Sequence, residues 1–596
     1  MYVKLVTYID RLNQYRRTKI SNRNFLVIAA LVTGVLAGLA AALLKSLTHG
    51  IEDFLQEGFH WKYKYYLFLV FPFFGILLSV MYVRRFIRRG KFETGLTPLL
   101  HTISRKSSRV EPHNIYSQII TAALTVGFGG STGLEAPIVT SGAGIGSVVG
   151  RFLGLTYRET TMLLACGAAA GIAGAFNAPI AGIVFAIEIL LAEFTIPAFI
   201  PLLLASATAA VVARLFYNEQ LFFLVTEGWQ FNAIIWYVIL ACLVGLFSLY
   251  FNKAYYFNKK MFYKIKGPYQ KVILGGLILG GMVFLFPTLY GEGYVTIKNL
   301  LGGNYSTVIT NSVFAEYSNL PLAIILFTTI TLFAKSAATM VTLGAGGNGG
   351  IFAPSLIMGG LIGFVLAFSI NTLGIAHVNV ANFIVAGMAA SLSAIMHAPL
   401  TGIFLIAEIT GGYVLMVPLM ISSAIAYLIN RSQNKYSIYT KPLAEKGELM
   451  SYEDKDSTVL HMMKLKYLVE KDYTILYDYE TVAERMPEIL SSKRNVFPVI
   501  AEDRTFQGMI YVEDVLKKGI NNSLANDLTV HDFVQTAPDL VYIADSLKVV
   551  LGKMEKENAW VLPVLNEQGE FLGFVSKTAV FNKYRSLLSR QADYME

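Results

Sequence analysis

The stretch "GGSTGLEAPIV", Gly129 to Val139, holds the single formal charge between Glu111 and Arg151, the carboxylate of Glu135. A run of glycines lets the backbone turn tightly and expose its N–H groups. A helix that follows aims its unsatisfied first-turn donors and positive dipole end at whatever lies ahead. That is chemistry for holding an anion, and it needs no Lys or Arg, because a full positive charge in a dry passage would hold a permeating ion too tightly to release it. Among such donors an ionised Glu135 is itself the anion, and protonation would free it to swing away. Close helix packing, the plainer use of glycines, leaves this carboxylate unexplained, and a charge at membrane depth is by default functional.

The elements around it are membrane elements. Of the 596 residues 54% are hydrophobic and only 15% charged, and the mean hydropathy is +0.52, more apolar sequence than a soluble core requires. Uncharged stretches of spanning length, about 20 residues, occur at Phe25–Leu44, Tyr65–Val83, Thr161–Ile187, Phe194–Ala213, Ala233–Asn252, Val272–Gly291, Ser336–Ala407 and Ile409–Asn430. Gly and Pro interrupt several of them, which predicts short or discontinuous helices. Basic residues collect in the N-terminal segment (Arg11, Arg16, Arg17, Lys19, Arg23), after the second span (Arg84, Arg85, Arg88, Arg89, Lys91) and at Lys253, Lys259, Lys260, Lys264 and Lys266. The positive-inside rule places all three in the cytoplasm and the loop with Glu52, Asp53 and Glu57 outside. These clusters largely account for the net charge of +9, so no nucleic-acid partner is read into it. Cys166 and Cys242 lie in apolar runs and read as small buried hydrophobes, not as metal ligands.

Two repeats organise the chain. "GGSTGLEAPIVTSGAGIG" (from Gly129) resembles "GGNGGIFAPSLIMGGLIG" (from Gly346), with Gly133 on Gly350. "AAGIAGAFNAPIAGIVFAIEI" (from Ala169) resembles "AASLSAIMHAPLTGIFLIAEI" (from Ala389), with Asn177 on His397 and Glu188 on Glu408. Paired halves of this kind commonly enclose a site built from the ends of broken helices, and the sequence leaves parallel and inverted arrangements open. After Arg431 charges recur every few residues and a soluble α/β unit begins. Within it "NVFPVIAEDRTFQGMIYVEDVL" and "WVLPVLNEQGEFLGFVSKTAV" align Pro498 with Pro563 and Gly508 with Gly573, each reading as strand, turn, strand and helix.

This C-terminal unit resembles a pair of CBS modules. In such pairs an adenine nucleotide can sit between the modules, on a Ser or Thr and an Asp after the glycine. Asp514 stands in the first copy beside Tyr511, and Ser576 in the second with Ala579 at the acidic position. Neither copy is complete, so nucleotide sensing and a purely structural dimerisation module stand side by side.

The membrane part resembles the CLC family of chloride channels and proton/chloride antiporters. The resemblance rests on "GLEAP" (133–137), "GGIFAP" (349–354), "FNAPIAGIVFAIE", "HAPLTGIFLIAEITGGY" and "KYSIY" (435–439). It implies an inverted-repeat homodimer with discontinuous helices and one pore per subunit, embedded in the plasma (inner) membrane with both termini cytoplasmic. It further implies Glu135 as the gating glutamate, and an anion site formed by Gly133, the amides of Ile351 and Phe352, and the hydroxyl of Tyr439. The organisation expected is a cytoplasmic segment over 1–24, a transmembrane anion pathway over 25–440, a linker over 441–455 and a cytoplasmic CBS pair over 456–596.

Three departures from the family pattern bear on mechanism. The family's Gly-Ser-Gly-Ile-Pro is represented by "ETGLTP" (93–98), which offers Thr94 or Gly95, depending on alignment, at the chloride-coordinating hydroxyl position. Leu134 and Ala136 replace a usual basic residue and a second glycine. Where antiporters commonly carry an inner proton-handling glutamate stands Ile189; Glu188 is adjacent, but neighbouring helix residues do not share a face, and its repeat partner Glu408 points to a common structural role. The expectation is therefore passive, gated chloride conduction, with proton-coupled antiport as the alternative and a fluoride-selective exporter as a further one. Neither an enzyme nor a required cofactor is implied: His377 and His397 have no carboxylate or thiol nearby in sequence. A cation transporter would need more intramembrane oxygen ligands than the sequence supplies.

Overall fold

The computed structural model describes residues 21–57, 64–87, 92–105, 108–191, 196–217, 228–310, 312–411, 413–446, 448, 463, 465–502, 505–521 and 528–592. The chain divides into two compact units, Met1–Leu449 and Met450–Glu596. Among the described residues the first is built of helices. It opens with α1 (Asn22–Glu57), α2 (Phe71–Phe86), α3 (Thr97–Arg105), α4 (Asn114–Gly127), α5 (Glu135–Phe152) and α6 (Tyr157–Phe176). Next come α7 (Pro179–Phe185), α8 (Ile196–Phe216), α9 (Ile234–Lys264), α10 (Pro268–Leu285), α11 (Tyr294–Leu301) and α12 (Thr307–Thr310). The unit ends with α13 (Pro321–Gly344), α14 (Phe352–Thr372), α15 (Val380–Met396), α16 (Pro399–Ile409), α17 (Met416–Gln433) and α18 (Lys441–Glu445).

Among the described residues seven helices are long and apolar enough to cross a membrane. The uncharged run Ser336–Ala407, a single block to hydropathy, folds into the end of α13, all of α14 and α15, and most of α16. Its turns contain Gly346, Gly374 and His397, all at positive φ, so no charge marks them. Glu52, Asp53 and Glu57, expected in a loop, continue α1 instead; Gly50 is the one weak former there and costs a helix only about 1 kcal/mol. The expected 1–24 segment already becomes helical at Asn22, and Arg11, Arg16, Arg17, Lys19, Arg88, Arg89 and Lys91 lie outside the described residues, as does most of the 441–455 linker, whose first residues form α18.

The two halves repeat one construction. In α5 and α6 Gly142 backs onto Gly167, and in α14 and α15 Gly359 backs onto Gly387; a Cβ on any of the four would strike the facing glycine carbonyl. Asn177 at φ 56° and His397 at φ 57° end α6 and α15 in the left-handed region, which Asn and His tolerate better than most side chains. Pro179 and Pro399 then open α7 and α16, where a missing N–H costs nothing. His397 Nε2 meets Asn430 Oδ1 at 3.0 Å, a polar contact between α15 and α17.

The second unit holds two three-stranded sheets, β1-β2-β3 (Leu476–Tyr477, Val496–Ile500, Phe506–Tyr511) and β4-β5-β6 (Val541–Tyr542, Val561–Leu565, Phe571–Ser576). Each has one parallel and one antiparallel pairing, with a register shift at Val499/Ile500 and again at Val564/Leu565. Pro498 opposes Met509 as Pro563 opposes Phe574, so the sequence repeat is a structural one. The segment before each module reaches across to the other: Glu470 pairs with Phe574, and Gln535 with Met509.

Candidate functional site

The two glycine turns meet each other. Gly133 N–H donates to the Gly350 carbonyl at 2.9 Å, and Gly350 N–H donates to the Gly133 carbonyl at 2.8 Å. Thr132 Oγ1 donates to the same Gly350 carbonyl at 2.8 Å. An antiparallel pair between repeat-equivalent residues means that a local two-fold axis passes between them, and α5 and α14 both begin beside that axis. Glycine is required by closeness: a Cβ on Gly350 would lie 2.8 Å from that of Ala136, and one on Gly133 would land on the Glu135 carboxylate.

That carboxylate is 3% exposed. Its Oε1 accepts the Tyr294 hydroxyl at 2.7 Å, and its Oε2 accepts the Ala353 amide in the first turn of α14 at 3.3 Å. A side chain from one half thus occupies the helix start of the other, where unsatisfied amides and the positive dipole end favour negative charge. One expectation needs correction: the Gly133 amide is taken by Gly350 and does not point to an anion. The Phe352 ring packs against Phe176 and Phe185, with centroids 5.8 and 6.2 Å away, while its amide stays at the helix start.

A cavity of about 170 Å³ borders the second glycine turn, lined by Thr94, Gly95, Gly350, Ile351 and Tyr439 among others. The Tyr439 ring is buried, and its hydroxyl faces the Ile351 amide without closing a hydrogen bond of good geometry to it. Thr97 Oγ1 fastens the Tyr439 carbonyl at 3.0 Å. Both alignments of the 93–98 segment are accommodated, since Thr94 and Gly95 line the same space. The space exceeds the roughly 30 Å³ of one water several-fold and suits a small anion.

Three further residues belong to the site and were not singled out from sequence. Tyr294 holds Glu135. Glu292 Oε1 accepts the Leu134 amide at 3.0 Å. Lys335, 1% exposed, donates to the carbonyls of Gly291 at 2.9 Å and Leu289 at 3.5 Å. A signal for Lys335 was present: like Glu135 it is an isolated charge, alone between Glu316 and Glu408.

The sequence profile of the voltage gated chloride channel family matches residues 75–431. The chain belongs to this family. A CBS domain profile matches residues 528–586. The chain is 31% identical over 348 residues to the "H(+)/Cl(-) exchange transporter ClcA" of Yersinia pestis bv. Antiqua (strain Angola), covering 56% of this chain and 68% of that protein. Among solved structures it superposes on a slow cyanobacterial Cl-/H+ antiporter with a TM-score of 0.60 at 22% identity, over 72% of this chain and 99% of the other. A eukaryotic CLC transporter gives a TM-score of 0.59 at 19% identity, over 94% of this chain and 99% of the other. At these identities the superpositions speak for the fold: a helical CLC membrane unit followed by an α/β CBS pair.

In this CLC chain Glu188 and Glu408 perform reciprocal work. Glu188 accepts the amides of Leu400 at 3.1 Å and Thr401 at 2.8 Å, together with the Thr401 hydroxyl at 2.7 Å. Glu408 accepts the amides of Ile180 at 3.0 Å and Ala181 at 2.7 Å. Each carboxylate therefore caps the short helix of the opposite half. Ile189, on a π-helical turn over Ala186–Leu190, brings no titratable group to its position.

In the CBS pair the two nucleotide candidates are engaged by the crossing segments. Gln535 Nε2 donates to Asp514 Oδ2 at 2.7 Å, and the Ser576 hydroxyl donates to Glu470 Oε1 at 2.9 Å. Arg494 in turn bridges Glu470 at 2.7 Å and Asp472 at 2.5 Å.

Proposed function

We propose that the protein carries chloride across the membrane in exchange for protons, with Glu135 as the gate. One observation carries the reading: the Glu135 carboxylate lies on the first-turn amide of Ala353, where a permeating anion would be stabilised. Ionised, Glu135 closes the path by acting as the bound anion. Protonated, it loses its attraction to the helix start and yields the place to an anion arriving from the cavity of Tyr439, Thr94 and Ile351. Each proton taken up is thereby tied to an anion step. The expectation of passive conduction yields to exchange because a relative that this chain covers to 68% of its length is named a proton/chloride exchanger.

Passive conduction stays as the second reading on a specific observation, namely that position 189 is Ile and Glu188 is committed to capping α16. Exchange then requires the inner side to deliver protons to Glu135 without a carboxylate at that position. The test is efflux from liposomes containing the purified protein, loaded with chloride or fluoride, with a pH electrode following protons. Opposing, stoichiometric proton movement supports exchange; chloride efflux without it supports conduction; fluoride efflux with little chloride overturns the selectivity.

Family resemblance supports a homodimer with one pathway per subunit, and the basic residues closing α2 and α9 support cytoplasmic termini in the plasma (inner) membrane. For the CBS pair, an adenine nucleotide contacting ribose through Ser576 or Asp514 would have to displace Glu470 or Gln535. Calorimetry of the protein with ATP, ADP and AMP separates that role from a structural one.

A further inference from the structure

We propose that Glu292 is a second carboxylate of the gate, whose charge, set by protons from the cavity beside it, controls how readily Glu135 accepts a proton. The inference rests on Glu135 acting as the gate.

A cavity of about 830 Å³ lies where α1 ends, and its lining includes His49, Glu52, Glu292, Tyr294 and Lys298 but not Glu135. Glu292 is half-buried. It borders this cavity, and its Oε1 takes the Leu134 amide at 3.0 Å, one residue before Glu135. Tyr294 borders the same cavity and donates its hydroxyl to Glu135 Oε1 at 2.7 Å. The two residues therefore stand between the cavity and the gate.

Their segment is held in place. Gly291 and Gly293 flank Glu292 at φ 58° and 98°, a backbone that side-chain-bearing residues seldom adopt. Lys335 of α13 clamps the Gly291 carbonyl at 2.9 Å. A buried ammonium needs an anionic neighbour, and the charges acting on Lys335 are those of Glu292 and Glu52. The charged and titratable groups facing Glu292 are Glu135 from α5, Lys45 and Glu52 from α1, Lys335 from α13, and Tyr294 on its own segment. Leu134 brings no charge to the gate, and the cation that acts on both Glu135 and Glu292 is Lys45 of α1.

The electrostatics follow from this arrangement. Like charges in one water-poor site oppose double ionisation, and their titrations become those of a pair. An ionised Glu292 makes Glu135 keep its proton more readily; a proton entering Glu292 from the cavity removes that influence.

The test uses the full chain in liposomes, with chloride flux measured against the pH on the side of the larger cavity. Glu292→Gln keeps an oxygen for the Leu134 amide and removes the charge. Its midpoint is expected about one pH unit to the acid side of the parent. Glu135→Gln is expected to give a flat profile. A Glu292→Gln profile superimposed on the parent, with Glu135→Gln flat, overturns the role of Glu292 and leaves the gate intact; a pH-dependent Glu135→Gln overturns the gate itself and this inference with it. Should Glu292→Gln not fold, Lys335→Gln, which keeps an N–H donor but removes the cation acting on Glu292, makes Glu292 harder to ionise and is expected to move the midpoint to the acid side as well; an unmoved or alkaline midpoint sinks the proposal.

Discussion

At the glycine pair the two halves of the membrane unit are alike in backbone and unlike in one side chain. Each turn gives an N–H and a carbonyl to the other, and each is followed two residues later by the first residue of a helix. In the first half that residue is Glu135; in the second it is Phe352. The carboxylates that cap α7 and α16 behave differently: Glu188 and Glu408 are equivalent and perform equivalent tasks. Symmetry in a duplicated fold therefore sorts its polar residues. What holds the scaffold occurs twice, and the proposed gate occurs once.

The largest effect should come from the residue that breaks the symmetry. Glu135→Gln imitates the protonated side chain and is expected to change chloride flux at neutral pH by tenfold or more, about 1.4 kcal/mol in barrier, and to abolish its pH dependence. Flux unchanged at every pH would remove Glu135 from the path and with it the meaning of the asymmetry. Tyr439 lies on the same unsymmetrical route. Tyr439→Phe deletes one hydroxyl from the 170 Å³ cavity, and because a hydrogen bond to a charged partner contributes about 1.5–3 kcal/mol, chloride affinity by calorimetry is expected to fall about tenfold. Unaltered affinity would place the anion elsewhere.

Much of this contrast was legible before any coordinates. An isolated charge in a glycine run marked Glu135, and the matched motifs marked the repeat, because in both the informative residues are neighbours in the chain. The rest of the site was dispersed. Glu292 comes beside Leu134 and Glu135, and Lys335 beside Gly291, only through folding, and no periodicity links positions 135, 292 and 335. The fate of the Gly133 amide was equally hidden, since a tight turn reads the same whether its donors face an ion or another turn. Hydropathy also could not divide the Ser336–Ala407 run, because Gly346, Gly374 and His397 turn the chain without a charge. Composition changes abruptly after Arg431, yet the chain divides later, at Leu449/Met450, because α17 and α18 carry the membrane unit past the last apolar run.

A smaller effect probes the symmetrical carboxylates. Glu188→Gln and Glu408→Gln each weaken the cap on a short helix, and both are expected to lower stability by about 1 kcal/mol, read as similar losses in thermal midpoint. Equal losses with proton coupling retained would make both residues scaffold. A loss of proton coupling in Glu188→Gln alone would break the comparison, placing a transport role on a residue whose geometry is duplicated.

The CBS pair repeats the lesson with the smallest expected effect. Its crossing segments place Glu470 and Gln535 at equivalent positions, yet only Glu470 meets an arginine, because Arg494 has Ala559 as its counterpart. Arg494 also holds Asp472, and its hydrogen bond keeps that carboxyl below the usual value of 3.8. A carboxyl whose folded value is depressed adds stability that is fully present above its unfolded value and is lost as the pH falls through the folded one. The side chain of Asp472 is 74% exposed, so solvent screening limits the gain to less than about 0.5 kcal/mol. Asp472→Asn is therefore expected to quicken hydrogen exchange in β2 slightly at neutral pH and to match the parent once the solution is acid enough to protonate Asp472. A difference that persisted in acid would assign the effect to packing and not to charge, and the asymmetry of the pair would then carry no electrostatic consequence.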